Sequence, residues 1–269
     1  MSIATAELPI VDSEDDPAES RNYVTALARG LAVIRAFGGD NQQMTLSDVA
    51  RVAELPRATV RRCLLTLQTL GYVDTNGRFF SLSPQVLTLA QAYLRSSVLP
   101  RVAQSFLERV SDQTGESCSI SILHGEEVIY VARSSRKRIA SLHRDVGTHL
   151  PAHCTSMGRV LLAALPAVEL DRFLRRSTLE AYTPHTITDP ARLRQVLERV
   201  AREGYCAVDQ ELEIDLRSLA VPVRNGSGRV VAALNISTQS GRTTHEQMLQ
   251  RLLPVLRTTA AEMRPLLLG

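Results

Sequence analysis

Long apolar runs are absent from this sequence. No stretch approaches the ~18 consecutive apolar residues that a membrane-spanning helix requires, so a transmembrane protein is excluded and no membrane partner is expected. Residues 1–21 also lack the basic start and apolar middle of a secretory signal. Cysteine is scarce. Cys63, Cys118, Cys154 and Cys206 are the only four, they lie far apart, and none belongs to a Cys-x-x-Cys pair. That argues against a disulfide scaffold or a cysteine-rich zinc site, and the default setting is a reducing cytoplasm. Lysine is nearly missing too, since Lys137 is the single lysine among 31 basic residues.

What is present is 44% hydrophobic and 22% charged over 269 residues, enough for a packed core and for one large domain or two ordinary ones. The net charge of +3 hides a division along the chain. Residues 1–21 hold six acids (Glu7, Asp12, Glu14, Asp15, Asp16, Glu19) against Arg21, a balance of −5. Residues 22–97 hold eight arginines against Asp40, Asp48, Glu54 and Asp74, a balance of +4. The acidic start has no apolar periodicity and reads as a disordered tail over residues 1–21.

The next segment, residues 22–83, reads as three helices and a hairpin. Leu27, Leu31, Ile34 and Phe37 recur on one helical face. Thr45-Leu46-Ser47-Asp48 is a capping box that opens a second helix, with Leu46, Val49, Ala50 and Ala53 on its inner side. Pro56 suits the first position of a third helix, and Gly71 suits its left-handed stop. Val60, Leu64 and Leu67 face inward. Two β-prone runs, 72–75 and 78–81, flank Asn76-Gly77, a two-residue hairpin signal that asks for positive φ at both positions. This order is that of a winged helix-turn-helix. Residues 84–98 form a linker helix with an apolar stripe of Val86, Leu87, Ala90 and Leu94, which fits the seam of a dimer or equally a core helix packed within the chain.

Residues 99–269 form the larger domain, and from Glu116 the texture changes. A helix to Thr114 is followed by strands near 117–123, 128–132 and 139–143, and by helices from Ser156, after Pro166 and from Asp189-Pro190 to Glu203. Further strands lie at 205–208, 216–223 and 229–237. A last helix opens with a capping box Thr243-x-x-Glu246 and is kinked or broken at Pro254. The fold class is α+β: a small helical module joined to a larger sheet domain.

Chemistry concentrates in two places. Major-groove base edges are read from the start of a recognition helix, which here carries Arg57, Ala58, Thr59, Arg61 and Arg62. Thr45 and Ser47 are placed to donate to the phosphate backbone, and Arg78, after the wing turn, to reach a minor groove or phosphates. Double-stranded operator DNA is the expected partner, and one such module reads too short a site to work without a second copy. The bland alternative is a trihelical interaction module with a solvated basic face.

The second place is His153-Cys154-Thr155-Ser156-Met157-Gly158-Arg159, where Thr155 or Ser156 caps a helix and Gly158 allows another group to approach it. Free N–H groups at such a start attract carboxylates, although the motif by itself more often marks an ordinary cap with nothing bound. Residues 209–218 hold four acids between two apolar strands, and Asn235 and Ser237 interrupt the last apolar strand as a pocket floor would. His149 and His153, four apart, would hold a metal only in a helix, which Pro151 opposes. Cys154 could be an activated thiol, but no base or orienting carboxylate is legible beside it. A cysteine- or metal-dependent hydrolase with a regulatory N-terminal domain is the alternative function; no cofactor and no metal are expected.

These segments together resemble the IclR family of bacterial transcriptional regulators. The resemblance is carried by Thr45–Ala50, Leu55–Arg62, Gly71-Tyr72, His153–Ala163, Gly204-Tyr205, Asp209-x-Glu211 and Leu216–Val223, and it covers about residues 22–266. Val146–Pro151, Cys154–Arg159, Asp209–Glu213 and Ala233–Ser237 look most like the branch that governs protocatechuate and 4-hydroxybenzoate catabolism through β-ketoadipate. The resemblance implies a non-enzymatic regulator with a winged helix and a GAF-like effector domain, assembled as a homodimer or dimer of dimers. It also implies a small organic-acid effector of the β-ketoadipate, protocatechuate or 4-hydroxybenzoate class. That effector is expected near His153, Cys154, Thr155, Ser156, Met157, Gly158, Asp209, Glu211, Arg217, Ser218, Asn235 and Ser237. Arg133, Arg144, Arg217 or Arg242 would pair its carboxylate. Many family members have small residues in place of Ser156-Met157 and a glycine in place of Asp215.

Overall fold

The computed structural model describes residues 22–38, 41–135 and 145–267. The acidic tail and the strand expected at 139–143 lie outside the described residues, as does Arg144. The chain divides into two compact units between Ser96 and Ser97.

The first unit opens with α1 (Thr25–Arg35), followed by the short strand β1 (Met44–Thr45), α2 (Leu46–Val52) and α3 (Arg57–Thr69). The strands β2 (Val73–Thr75) and β3 (Phe79–Leu82) form the wing, and a 3₁₀ turn at Pro84–Val86 leads into α4 (Leu87–Ser96). The three strands pair antiparallel in the order β1-β3-β2. Val33, Phe37, Met44, Val49, Val60, Leu64, Leu67 and Val73 close a single core.

Local chemistry sets the boundaries. The capping box forms, with the Thr45 hydroxyl accepting the Asp48 N–H and the Asp48 carboxylate accepting the Thr45 N–H. Pro56 is the cap residue itself rather than the first helical one, since α3 begins at Arg57. At the other end Gly71 takes φ +80°, and the Tyr72 N–H reaches back to the Leu67 carbonyl, a six-to-one closure that only a left-handed residue allows.

Two expectations change. The Leu27–Leu31 stripe of α1 is not its buried face: Val33, Ala36 and Phe37 enter the core, while Leu27 and Leu31 stay exposed. The wing turn is not a two-residue turn with two positive φ angles. Gly77 alone is left-handed, at φ +92°. Asn76 instead uses its side-chain oxygen to accept the Arg78 and Phe79 N–H groups, so an Asx turn supplies the reversal.

The second unit runs from α5 (Val98–Thr114), ended by left-handed Gly115, into β4 (Ser117–His124) and β5 (Glu127–Ser134). β6 (His149–Pro151), α6 (Ser156–Leu162), α7 (Ala167–Arg176) and α8 (Pro190–Glu203) follow. Then come β7 (Cys206–Asp209), β8 (Leu216–Arg224) and β9 (Val230–Gln239). The six strands form one antiparallel sheet in the order β6-β5-β4-β9-β8-β7.

The chain closes with α9 (His245–Gln247), a π-helical turn at Met248–Leu252 and α10 (Leu253–Met263). The capping box that opens this stretch pairs Thr244 with Gln247, one residue past the expected Thr243, whose hydroxyl accepts from Thr238 instead. Pro254 has no N–H for the preceding turn and crowds it, so the helix widens to a π turn just ahead of it rather than breaking.

Strand alternation sorts the sheet's two faces. Ile120, Leu219, Val221, Leu234 and Ile236 pack on α5 and α10, in one core with Leu107, Leu256 and Met263. Tyr130, Ala220 and Ala233 face the other way, toward Val160 and Leu162 of α6 and Leu193 and Leu197 of α8. Both faces are covered, so the polar residues of the central strands are trapped under α6.

Candidate functional site

On the first unit, α3 turns Val60, Leu64 and Leu67 inward and leaves Arg57, Ala58, Arg61 and Arg62 exposed along its opening turns. Thr59 is half-buried and, with Arg62, borders a groove beside α1 rather than the open face. Ser47 is exposed at the start of α2, while Thr45 spends its proton on the Asp48 carboxylate at 2.6 Å. Ser47 is therefore the hydroxyl free to meet a phosphate, and Thr45 holds the helix start. Arg78 stands on the wing with its guanidinium 5.2 Å from the centre of the Phe79 ring, a cation–π contact that aims it without neutralising it.

In the second unit, the space between α6 and the sheet holds a small cavity of about 10 Å³, room for one water-sized group. Cys154, Thr155 and Met157 form one wall, and Val208, Leu212 and Leu216 the other. Leu150 closes a side, and Ser218 and Ser237 bring hydroxyls. Asn235 lies beneath, fully buried, accepting from the Ser119 hydroxyl at 2.6 Å and donating to Ser237. The fully buried Ser121 and Ser156 hydroxyls have no partner among the described residues. Neither Ser119 nor Ser121 stands out in the sequence as a site residue. The alternating serines Ser117, Ser119 and Ser121 were the available signal, because a polar side of a strand covered on both faces must line something.

Several expected contacts resolve differently. The group that approaches Gly158 is the chain itself: a Cβ there would overlap the Ala152 backbone. The Thr155 hydroxyl accepts the Gly158 N–H, so the start of α6 is capped from within. The His153 ring bonds the Glu180 carbonyl and His149 pairs with Glu127, so the two histidines do not converge. Among the described residues no group of three His, Cys, Asp or Glu is arranged to hold a metal. Burial pushes the Cys154 thiol up to about 12, outweighing the nearby Arg159, so it stays protonated at neutral pH and is no activated nucleophile.

Glu211 does not face the cavity as a free carboxylate. Its two oxygens accept from the two terminal nitrogens of Arg159 at 2.6 and 2.5 Å, and one of them also takes the Ile187 N–H. Arg159 is 2% exposed, and its remaining Nε–H donates to the His153 carbonyl. Arg217 is likewise engaged, with Asp209 at 2.8 Å and with the Ser240 and Thr243 carbonyls. Burial alone would raise the Asp209 carboxyl, but the Arg217 hydrogen bond and charge hold it below its ordinary value. Arg242 is exposed, and Arg133 is half-buried with a partner of its own.

The comparisons with known proteins agree across both units. The IclR helix-turn-helix domain matches residues 26–77, and the bacterial transcriptional regulator IclR C-terminal domain matches residues 91–264. The Pca regulon regulatory protein of Pseudomonas putida is 46% identical over 92% of this chain and 86% of its own. The p-hydroxybenzoate hydroxylase transcriptional activator of Acinetobacter baylyi is 39% identical over 92% and 93%. The crystal structure of an IclR homolog from Microbacterium hydrocarbonoxydans, complexed with 4-hydroxybenzoate, superposes with a TM-score of 0.75. It is 30% identical and covers 89% of this chain and 97% of that one. Two domain matches in the family's order, with strong identity along nearly the whole length, establish that the chain belongs to the IclR family of bacterial transcriptional regulators.

Proposed function

We propose that the chain regulates genes of protocatechuate or 4-hydroxybenzoate catabolism, binding operator DNA through its winged unit and a small organic acid through its sheet unit. Arg57 and Arg61 meet the major groove, Ser47 and Arg78 the backbone and the flanking minor groove. The effector is an acid of the 4-hydroxybenzoate, protocatechuate or β-ketoadipate class, seated between Thr155–Met157, Val208–Leu216 and the Ser218–Ser237 floor.

The observation that carries this reading is the cavity: apolar on two walls, hydroxyl-bearing on its floor, and enclosed between α6 and the sheet. Such a lining suits a flat apolar body with polar substituents, and the relatives named above are regulators connected to such acids. The cavity is smaller than any of these ligands, so binding requires side chains to turn out. Met157 is the most adaptable of them.

The working form is a homodimer or a dimer of dimers, with residues 84–98 as the seam. Helix α4 has no buried residue in its own unit, and Leu87, Leu89 and Tyr93 expose apolar surface. An effector shifts transcription only by binding one arrangement of the two winged units better than another.

Thermal-shift titration with 4-hydroxybenzoate, protocatechuate and β-ketoadipate tests the effector, because a ligand of the folded state raises its melting temperature. Stabilisation by at least one of these acids, together with a change in operator affinity measured by fluorescence anisotropy, is expected. No stabilisation by any of them removes the effector assignment.

A further inference from the structure

We infer that the Arg159–Glu211 pair is the positioning brace of the effector cavity, and that its role is register rather than stability; the inference rests on the effector reading above. The pair joins the two walls. Arg159 belongs to α6, whose first turn supplies Met157, and its Nε–H holds the His153 carbonyl beside Cys154. Glu211 belongs to the segment that supplies Leu212 and Leu216 to the facing wall. One guanidinium thus fixes both sides through three hydrogen bonds.

Stability is a poor explanation for this arrangement. Taking both charges out of water costs about as much as their attraction returns, and apolar pairs of similar volume often do as well. A planar fork closed on both carboxylate oxygens gives geometric definition that a point charge does not. The segment it holds needs such definition. Gln210 and Asp215 bracket it at φ +59° and +65°, left-handed values that non-glycine residues keep only where the surroundings over-determine them. The Thr183 and Thr186 hydroxyls add to the hold by donating to the Gln210 and Glu211 carbonyls.

With the backbone of both walls braced, a ligand gains room through side-chain rotation and meets walls already in place. Without the brace it must order residues 209–216 as it binds, and affinity falls.

The test uses the full chain and two variants, R159K and the double variant R159M/E211L. The first keeps the charge and loses the fork; the second removes both charges and keeps the bulk. Amide hydrogen exchange without ligand is expected to quicken tenfold or more at residues 211–215 in both, with β8 and β9 unchanged. In calorimetric titration with 4-hydroxybenzoate, protocatechuate and β-ketoadipate, the acid that binds the wild type should bind the variants at least fivefold more weakly, at unchanged operator affinity. Unchanged exchange at 211–215 overturns the brace. So does unaltered or tighter acid binding in a folded variant. Should the double variant fail to fold, R159K alone decides. Should no acid bind the wild type, the effector reading fails and the exchange measurement still judges the brace.

Discussion

Gly158 and the Ala152 backbone occupy the same small space: any Cβ at residue 158 would overlap the Ala152 carbonyl. Both lie in the core between α6 and the sheet, where backbone cannot retreat. Gly158→Ala is therefore expected to destabilise the protein by roughly 1–3 kcal/mol or more, the usual range for overpacking. Urea unfolding of the sheet unit measures it, and an unchanged midpoint would mean that residues 152–155 yield freely.

The arginines of α3 make a second prediction. Arg61 is exposed and forms no ion pair with the described residues, so Arg61→Ala should leave the melting temperature alone. Operator affinity at fixed salt should fall by about 1–3 kcal/mol if the side chain reads a base. A phosphate contact instead lowers affinity for all sequences alike and reduces the salt slope by about one. Unaltered affinity and slope would take Arg61 off the docking face.

Met157 shapes the cavity wall. Met157→Ala should widen the pocket and relax selectivity, so that bulkier ring-substituted benzoates stabilise the variant but not the wild type. A thermal-shift panel of substituted benzoates reads this directly; identical rankings in the two proteins would place the ligand elsewhere.

Cysteine chemistry gives a fourth test. Burial pushes the Cys118 and Cys206 thiols up to about 11 and Cys154 to about 12, while Cys63 is only half-buried. Brief iodoacetamide treatment of the native protein at neutral pH should modify Cys63 first and spare the other three, as mass spectrometry of the peptides will reveal. Rapid alkylation of Cys154 would revive the hydrolase alternative.

The capping box of α2 sets an acid sensitivity. The Thr45 hydroxyl and N–H hold the Asp48 carboxyl below its ordinary value of 3.8. The folded state therefore binds this proton less readily than the unfolded one. Its contribution is whole above pH 4 or so and is lost as pH falls through the lower folded-state value. Asp48→Asn should flatten that part of the acid-unfolding curve of the winged unit; an unchanged curve would show that the cap is formed without the charge.

Much of the fold was legible because its signals are local. Thr45 and Asp48, Asp189-Pro190, Gly71, Gly115 and Gly204 mark helix ends through contacts within a few residues, and each acts at the place expected. The wing turn and the last capping box were misread in detail. There the competing residues are neighbours of equal propensity, and only hydrogen-bond geometry chooses among them. The stripe of α1 misled for another reason: periodicity says that one face is apolar, not that anything covers it.

The cavity was legible only as a set of motifs. Thr155–Gly158, Asp209–Ser218 and Asn235–Ser237 were all singled out, but the role of Glu211 depends on Arg159, 52 residues away. That pairing turns a carboxylate expected to face a ligand into half of a buried fork. Composition, caps and hydrophobic periods by themselves determined two units, their order of elements and the arginine-rich start of α3, because each is fixed by chemistry within a turn or a strand. Tertiary structure alone decided which polar side chains are spent on one another and which are left for a ligand. Hydrogen-bond partners distant in sequence become neighbours only when the sheet closes over α6.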